Sequence, residues 1–278
     1  MTIMTQIAPN PTDSVRRRYR DADAAGPAEW NPTLAVLHDH RSVRRYLPDD
    51  VSDDTLRLLV SAAQSAPTSS NLQVWSVVAV RDPERKSRLA ALANNQAHIE
   101  QAPVLLVFTA DFARLRQLAA DKDAPLAGAD YLESSYVGFI DAALAAQNAL
   151  VAAESLGLGT VYIGALRNKP EEVAAELGLP PGVFATFGLV VGHPDPSENA
   201  QVKPRLPQEA VLHHETYGLP AQREHIQAYE TRIAEFYAEQ ELEHSWTDRV
   251  LKRLASAQSL SGRDRLRISL EKQGFPLL

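Results

Sequence analysis

The sequence predicts an α+β fold, and three features carry that expectation. β-branched runs and amphipathic helical stretches alternate irregularly, without the regular strand-helix period of a doubly wound sheet. Tyr131 to Leu156 is apolar almost all the way round, as a helix at the centre of a fold or an interface must be. Gly157-Leu158-Gly159 has a helical stretch before it and a strand after it, the reverse of a dinucleotide-binding turn, and Tyr162 stands where the third glycine belongs.

Residues 1–32 are rich in Pro, Asp, Ala and Arg without periodicity and read as a loosely ordered extension, its Arg16-Arg17-Arg18-Tyr19-Arg20 cluster a solvated arm. A compact pattern starts at Thr33. Ser52, followed by two aspartates, caps a helix on which Leu56, Leu59, Val60 and Ala63 recur at helical spacing, ending near Pro67. Val74 to Val80 is a strand, and Asp82-Pro83 supplies the cap and first residue of a helix through Leu92. Pro103 to Thr109 is a second, buried strand. The long helix from Tyr131 stops at Gly157. A short strand (Thr160 to Ile163), a helix capped near Asn168 and running to Leu177, and a strand from Phe184 to Val191 complete the core. Beyond it, Ala221 to Glu241 is a charged amphipathic helix and a further helical stretch follows Trp246. The expected division is an extension (1–32), a core (33–217) and a C-terminal helical segment (218–278).

The 278 residues are 45% hydrophobic, enough to bury a core without help. A net charge of -7 argues against nucleic acid as a partner, since that affinity rests on phosphate neutralisation by Lys and Arg. The absence of cysteine excludes disulfides, thiolate nucleophiles and iron-sulfur clusters, so redox chemistry calls for a bound cofactor. Met1 to Arg20 has no apolar h-region and no uninterrupted apolar run reaches the roughly 20 residues of a bilayer span; the expected location is cytoplasmic, with no membrane partner. His213-His214-Glu215 lacks the one-turn spacing that aims two imidazoles at one ion, and no metal site is expected. No nucleophile elbow or Walker loop occurs.

Four polar segments remain: His40-Arg41-Ser42-Val43-Arg44, Pro67-Thr68-Ser69-Ser70-Asn71-Leu72-Gln73, Tyr162-Ile163-Gly164-Ala165-Leu166-Arg167 and Lys203-Pro204-Arg205-Leu206-Pro207. If extended, the first places His40, Ser42 and Arg44 on one side, two cationic types and a hydroxyl converging on a point. Pro204 and Pro207 hold the last extended and aim its cations. Each segment alone also fits a solvated surface; together they supply the forked donors and amide or ammonium groups that a phosphorylated planar ligand needs.

In order and spacing these segments resemble the flavin-dependent nitroreductase superfamily, in the branch of the oxygen-insensitive nitroreductase and the NADPH-flavin reductase, from about Leu34 to Tyr217 and more faintly to the C-terminus. The resemblance implies an intertwined α+β homodimer with a central mixed, mostly antiparallel sheet flanked by helices, FMN at the subunit interface, and C-terminal segments covering the active site and the partner. It implies cofactor contacts from His40, Arg41, Ser42, Arg44, Ser69, Ser70, Leu72, Gln96, Tyr162, Ile163, Gly164, Ala165, Lys203 and Arg205, with Ala165 replacing the usual second glycine. The implied activity is ping-pong hydride transfer from NADH or NADPH to nitroaromatics, quinones or flavins, with no obligatory catalytic acid or base. Flavin reduction, reductive dehalogenation and flavin binding with little turnover stay open as alternatives. Where the family carries arginines that clamp the 2'-phosphate of NADPH, this chain has Ala238-Glu239-Gln240-Glu241-Leu242-Glu243-His244, so a weakened NADPH preference is expected.

Overall fold

The computed structural model describes residues 10–220 and 222–278, which form two compact units. One contains the residues up to Arg41 and Gln201–Ser259; the other contains Ser42–Ala200 and Leu260–Leu278. These boundaries differ from the three consecutive stretches expected, because both units are built from pieces distant in sequence.

In the larger unit, helix α1 is Asp53–Gln64, capped by the Ser52 side chain on the Thr55 N–H. Strand β1 (Trp75–Val80), α2 (Pro83–Leu92), α3 (Ala97–Gln101), β2 (Val104–Asp111), α4 (Ala113–Asp121) and the long α5 (Leu132–Ser155) follow. Then come β3 (Gly159–Ile163), α6 (Pro170–Leu177), β4 (Val183–Gly192) and, after a long return, α7 (Leu266–Lys272). The strands pair in the order β1-β2-β4-β3 and every ladder is antiparallel. A parallel bridge between Ser42 and Thr160 adds the mixed element.

β2 is buried along its whole length because both faces of the sheet are covered. Leu105 and Val107 enter one layer with Leu89 of α2 and Val173 of α6, while Val104, Leu106 and Phe108 enter the other with Leu59 of α1 and Leu150 of α5. That is the two-residue alternation of a strand, with apolar residues at both phases. α5 meets the sheet through Ala142, Ala145, Ala146, Ala149 and Ala153, small side chains that let helix and sheet approach closely. At Gly138 even a Cβ would lie 2.9 Å from the Phe112 ring. α5 is long and apolar enough to cross a membrane by length and composition, yet nearly half of its most apolar stretch, 44%, is buried in this fold as its core helix.

The last part of the C-terminal segment packs on its own chain. Phe275 is buried against Phe112 and Phe184, and Leu278 exchanges backbone hydrogen bonds with Asp130 and Leu132.

The smaller unit contains α8 (Pro11–Tyr19), α9 (Pro32–Asp39), α10 (Gln222–Ala238) and α11 (Trp246–Leu254). Tyr229, Ile233 and Phe236 of α10 make a small core with Leu206 and Trp246. α8 corrects the expectation of a loose extension over its described part, while residues 1–9 and Ala221 lie outside the described residues. Asn10 and Pro11 cap and start α8; Arg18 on it is buried, the exposed Arg17 pairs with Asp39, and the C-cap Arg20 pairs with Glu239. Sequence periodicity missed α8 because its inward face is made of Ser14 and Arg18 rather than apolar residues.

Candidate active site

In the larger unit the chain enters alongside the sheet. The Val43 N–H donates to the Thr160 carbonyl at 2.9 Å, which turns Val43 into the core and leaves Ser42 and Arg44 on the other side. Gly159 permits this approach, since a Cβ there would sit 2.9 Å from the Val43 side chain. The Arg44 and Arg45 N–H groups both donate to the Glu198 carboxylate, at 2.9 Å each, so the backbone is held without engaging the exposed Arg44 guanidinium.

The same pairing places Ser42 and Arg44 beside the strand that carries Tyr162 and Ile163 and leads into Gly164. Tyr162 is partly exposed, packs edge-on against Phe187 and reaches Gln147; burial pushes its phenol well above the usual range. Ile163 and Ala165 are buried, so the extra methyl of Ala165 is absorbed by the core cluster that contains Leu166. At Gly164 a Cβ would come within 3.3 Å of the Arg167 guanidinium, which donates to the Thr186 carbonyl and is lowered in pKa by burial.

Gln96 stands at the N-cap of α3 and its amide donates to the Ala93 carbonyl. Two residues on, His98 carries a buried Nε2 without a hydrogen-bond partner. Burial first, and the Arg44 charge second, depress its pKa, with Glu198 opposing. No local sequence signal marks this histidine; its proximity to Arg44 is a tertiary fact.

Ser69 and Ser70 lie in a short 3-10 turn over Ser69–Asn71. Ser70, Asn71 and Gln73 all have left-handed backbones (φ 49°, 54° and 52°), a conformation costing roughly 1 kcal/mol or more per non-glycine residue. Asp141, a buried acid on the apolar α5, accepts from the Ser69 N–H at 3.2 Å and keeps its second oxygen without a partner. The lone acid in the run Phe139-Ile140-Asp141-Ala142-Ala143 was the available sequence signal for this anchor. The turn, with the exposed Leu72, walls a cavity of about 590 Å³ that Trp75, Ser76 and Arg114 also line. Asp141 and Gln147, which anchor the turn and Tyr162, are separated by a rise of about 9 Å along α5.

In the smaller unit, His40, Lys203 and Arg205 are gathered by Arg18. Its guanidinium donates to the carbonyls of His38 (2.9 Å), His40 (2.7 Å) and Lys203 (2.9 Å), and its own carbonyl accepts from the Arg205 N–H at 3.1 Å. Arg41 pairs with Asp39 at 2.8 Å. The Lys203 ammonium lies 5.3 Å from the centroid of Tyr237, which stacks on His244 with centroids 3.9 Å apart. In the acidic stretch Glu239 is held by Arg20, which lowers the pKa of its carboxyl.

Each unit thus carries polar groups of the kind a phosphorylated aromatic ligand requires: cationic Arg44 and a His98 nitrogen without a partner among the described residues in one, and Lys203, Arg205 and His40 in the other. This donor chemistry fits FMN.

Two family descriptions match this sequence: the nitroreductase family over residues 37–193, and its C-terminal domain over residues 203–278. The chain is 43% identical over 247 residues to an FMN reductase [NAD(P)H] of Bacillus subtilis (strain 168), covering 88% of this chain and 98% of that protein. It is 38% identical over 228 residues to an NADPH-flavin oxidoreductase of Vibrio harveyi, with 81% and 92% coverage. Among solved structures, B. megaterium NfrA2 superposes with a TM-score of 0.85 at 43% identity, covering 90% of this chain and all of that one. The Vibrio harveyi NADPH:FMN oxidoreductase complexed with NAD+ gives 0.79 at 36% identity, with 88% and 99% coverage. With both matched regions spanning the sheet, the Ser42–Arg44 entry and the Lys203–Arg205 segment, the chain belongs to the nitroreductase family.

Proposed function

We infer that this chain is an FMN-dependent NAD(P)H oxidoreductase that reduces nitroaromatics, quinones or flavins. The observation that carries the reading is the pairing of Ser42 with Thr160, which sets Ser42 and Arg44 beside the strand carrying Tyr162 and Ile163 with His98 near Arg44, in a chain whose relatives are named FMN reductase and NADPH-flavin oxidoreductase. FMN, held by these residues, would supply the redox chemistry, two-electron transfer between a reduced nicotinamide and the acceptor.

The protein's own work is binding, orientation and charge stabilisation. His40, Arg41, Ser42, Arg44, Ser69, Ser70, Leu72, Gln96, Tyr162, Ile163, Gly164, Ala165, Lys203 and Arg205 are the residues assigned to the cofactor, and His98 joins them through its partnerless nitrogen. Lys203 lies against the Tyr237 face, which orients its ammonium as one of the cationic groups offered to the cofactor.

A homodimer is part of this reading. Leu132, Tyr136, Ile140 and Leu144 recur every fourth residue on α5 and are all exposed, an apolar stripe of the kind that a second copy covers. A cytoplasmic location, where reduced nicotinamides are generated, is also part of it.

The test is the absorption spectrum of the purified protein, followed by anaerobic addition of NADH and of NADPH. Flavin bands that bleach are the expected result. Flavin that stays oxidised with both reductants overturns the enzymatic reading, and a colourless protein that takes up no added FMN overturns the cofactor assignment.

A further inference from the structure

Arg18 is the most buried arginine in the smaller unit, 7% exposed, and its guanidinium donates to three main-chain carbonyls among the described residues. A buried guanidinium without a carboxylate partner is an expensive arrangement, because the desolvation of the charge is met only by neutral dipoles. Burial, reinforced by the charges of Arg205 and Arg17, lowers its pKa to about 10, with Asp39 opposing. The cluster therefore carries positive charge that an incoming anion would relieve.

What Arg18 joins is specific. One Nη atom spans the carbonyls on either side of Asp39, those of His38 and His40, and the other Nη reaches the Lys203 carbonyl across a sequence separation of 185 residues. The Arg205 N–H closes the ring on the Arg18 carbonyl. A planar fork with donors at fixed angles can hold two chain segments in register; an ammonium, with one nitrogen, cannot. α8, which carries Arg18, lies outside both regions matched by the family.

We propose that Arg18 is a positioning residue that locks the His40 and Lys203–Arg205 segments together, so that their side chains present a preformed cationic site to the phosphate of FMN. The proposal rests on the cofactor reading above. Arg18 does not touch the ligand: it acts through the two backbones it clamps. Preforming the site removes the ordering cost that two loose segments would otherwise meet on binding.

The test measures dissociation constants of FMN and of riboflavin for the apoprotein by flavin fluorescence, in the wild type, Arg18→Ala and Arg18→Lys. Arg18→Ala is expected to weaken FMN about tenfold or more while changing riboflavin by less than roughly threefold, because only FMN carries the phosphate. Arg18→Lys keeps a buried charge while removing the fork, so it carries the test where the alanine variant does not fold; the same selective loss is expected. FMN binding within roughly threefold of wild type in either folded variant, or equal weakening of both flavins, overturns the proposal. Wild-type protein that binds no FMN is a different result, which removes the cofactor assignment itself.

Discussion

Gly159 lies directly beneath Val43: a Cβ on the glycine would fall 2.9 Å from three carbons of the valine side chain. Val43 is the buried pivot between Ser42 and Arg44, and its N–H is bonded to Thr160, so the contact sets how the entering segment lies along β3. Gly159→Ala is expected to lower stability by about 1–3 kcal/mol through overpacking and to weaken FMN binding at the same time. Thermal denaturation and flavin titration of the variant check both effects; an unchanged melting temperature contradicts the account.

Asp141 holds the strained Ser69–Asn71 turn through the Ser69 N–H. Asp141→Ala removes the acceptor and is expected to cost about 1–3 kcal/mol. Asp141→Asn retains an oxygen for the same N–H and should recover most of it. Urea unfolding midpoints of the two variants distinguish a turn anchor from a group that merely occupies space.

His98 has a definite pH consequence. Burial, then Arg44, holds its pKa below the ordinary value, so as pH falls the unfolded chain protonates first. Its contribution to stability is full above about pH 6.5 and declines as pH drops toward the folded-state value. His38 and His244 are depressed in the same direction and add to the trend. The apoprotein melting temperature should fall between pH 7.5 and pH 5.5, and His98→Asn should flatten that slope.

The acidic stretch after α10 bears on reductant choice. In the stretch expected to meet the 2'-phosphate of the reductant, Glu239 is paired with Arg20 while Glu241 and Glu243 add further negative charge. The ratio of kcat/KM for NADPH over NADH is expected to stay within about tenfold, and Glu241→Arg with Glu243→Arg is expected to raise it. A wild-type preference for NADPH of a hundredfold sinks this reading.

The apolar stripe on α5 predicts assembly. Ile140→Lys is expected to place a charge where a second copy packs and to shift the protein toward monomer. Light scattering at matched concentrations reads the change; a dimer unaffected by the substitution removes α5 from the interface.

Much of the fold was legible because periodicity and punctuation agreed. Ser52, Asp82-Pro83 and Gly157 mark helix ends through cap chemistry that operates within a few residues, and β1, β2, β3 and β4 appear close to where β-branched runs stand. α8, α4 and α7 were not legible. α8 buries an arginine and a serine and shows no apolar stripe, while α7 is only seven residues long, too short for Leu266 and Leu270 to establish a helical period. The candidate site was partly legible for the same reason: Ser42, Arg44, Tyr162 and Gly164 sit in compact motifs, whereas Asp141, Glu198 and Arg18 act on residues more than 20 or even 150 positions away in the chain.

By itself the sequence determined the α+β class, the strand and long-helix positions, the lack of thiol chemistry and the donor types available to a phosphorylated ligand. These depend on residue identity and on spacing within a few turns of chain. Only the tertiary structure decided that an arginine from the N-terminal helix ties His40 to Lys203, that His98 is left with a partnerless nitrogen beside Arg44, and that the last residues return to their own core. Those outcomes depend on which distant groups are desolvated together, and burial of a charge or a polar atom is set by the packed fold rather than by its neighbours in sequence.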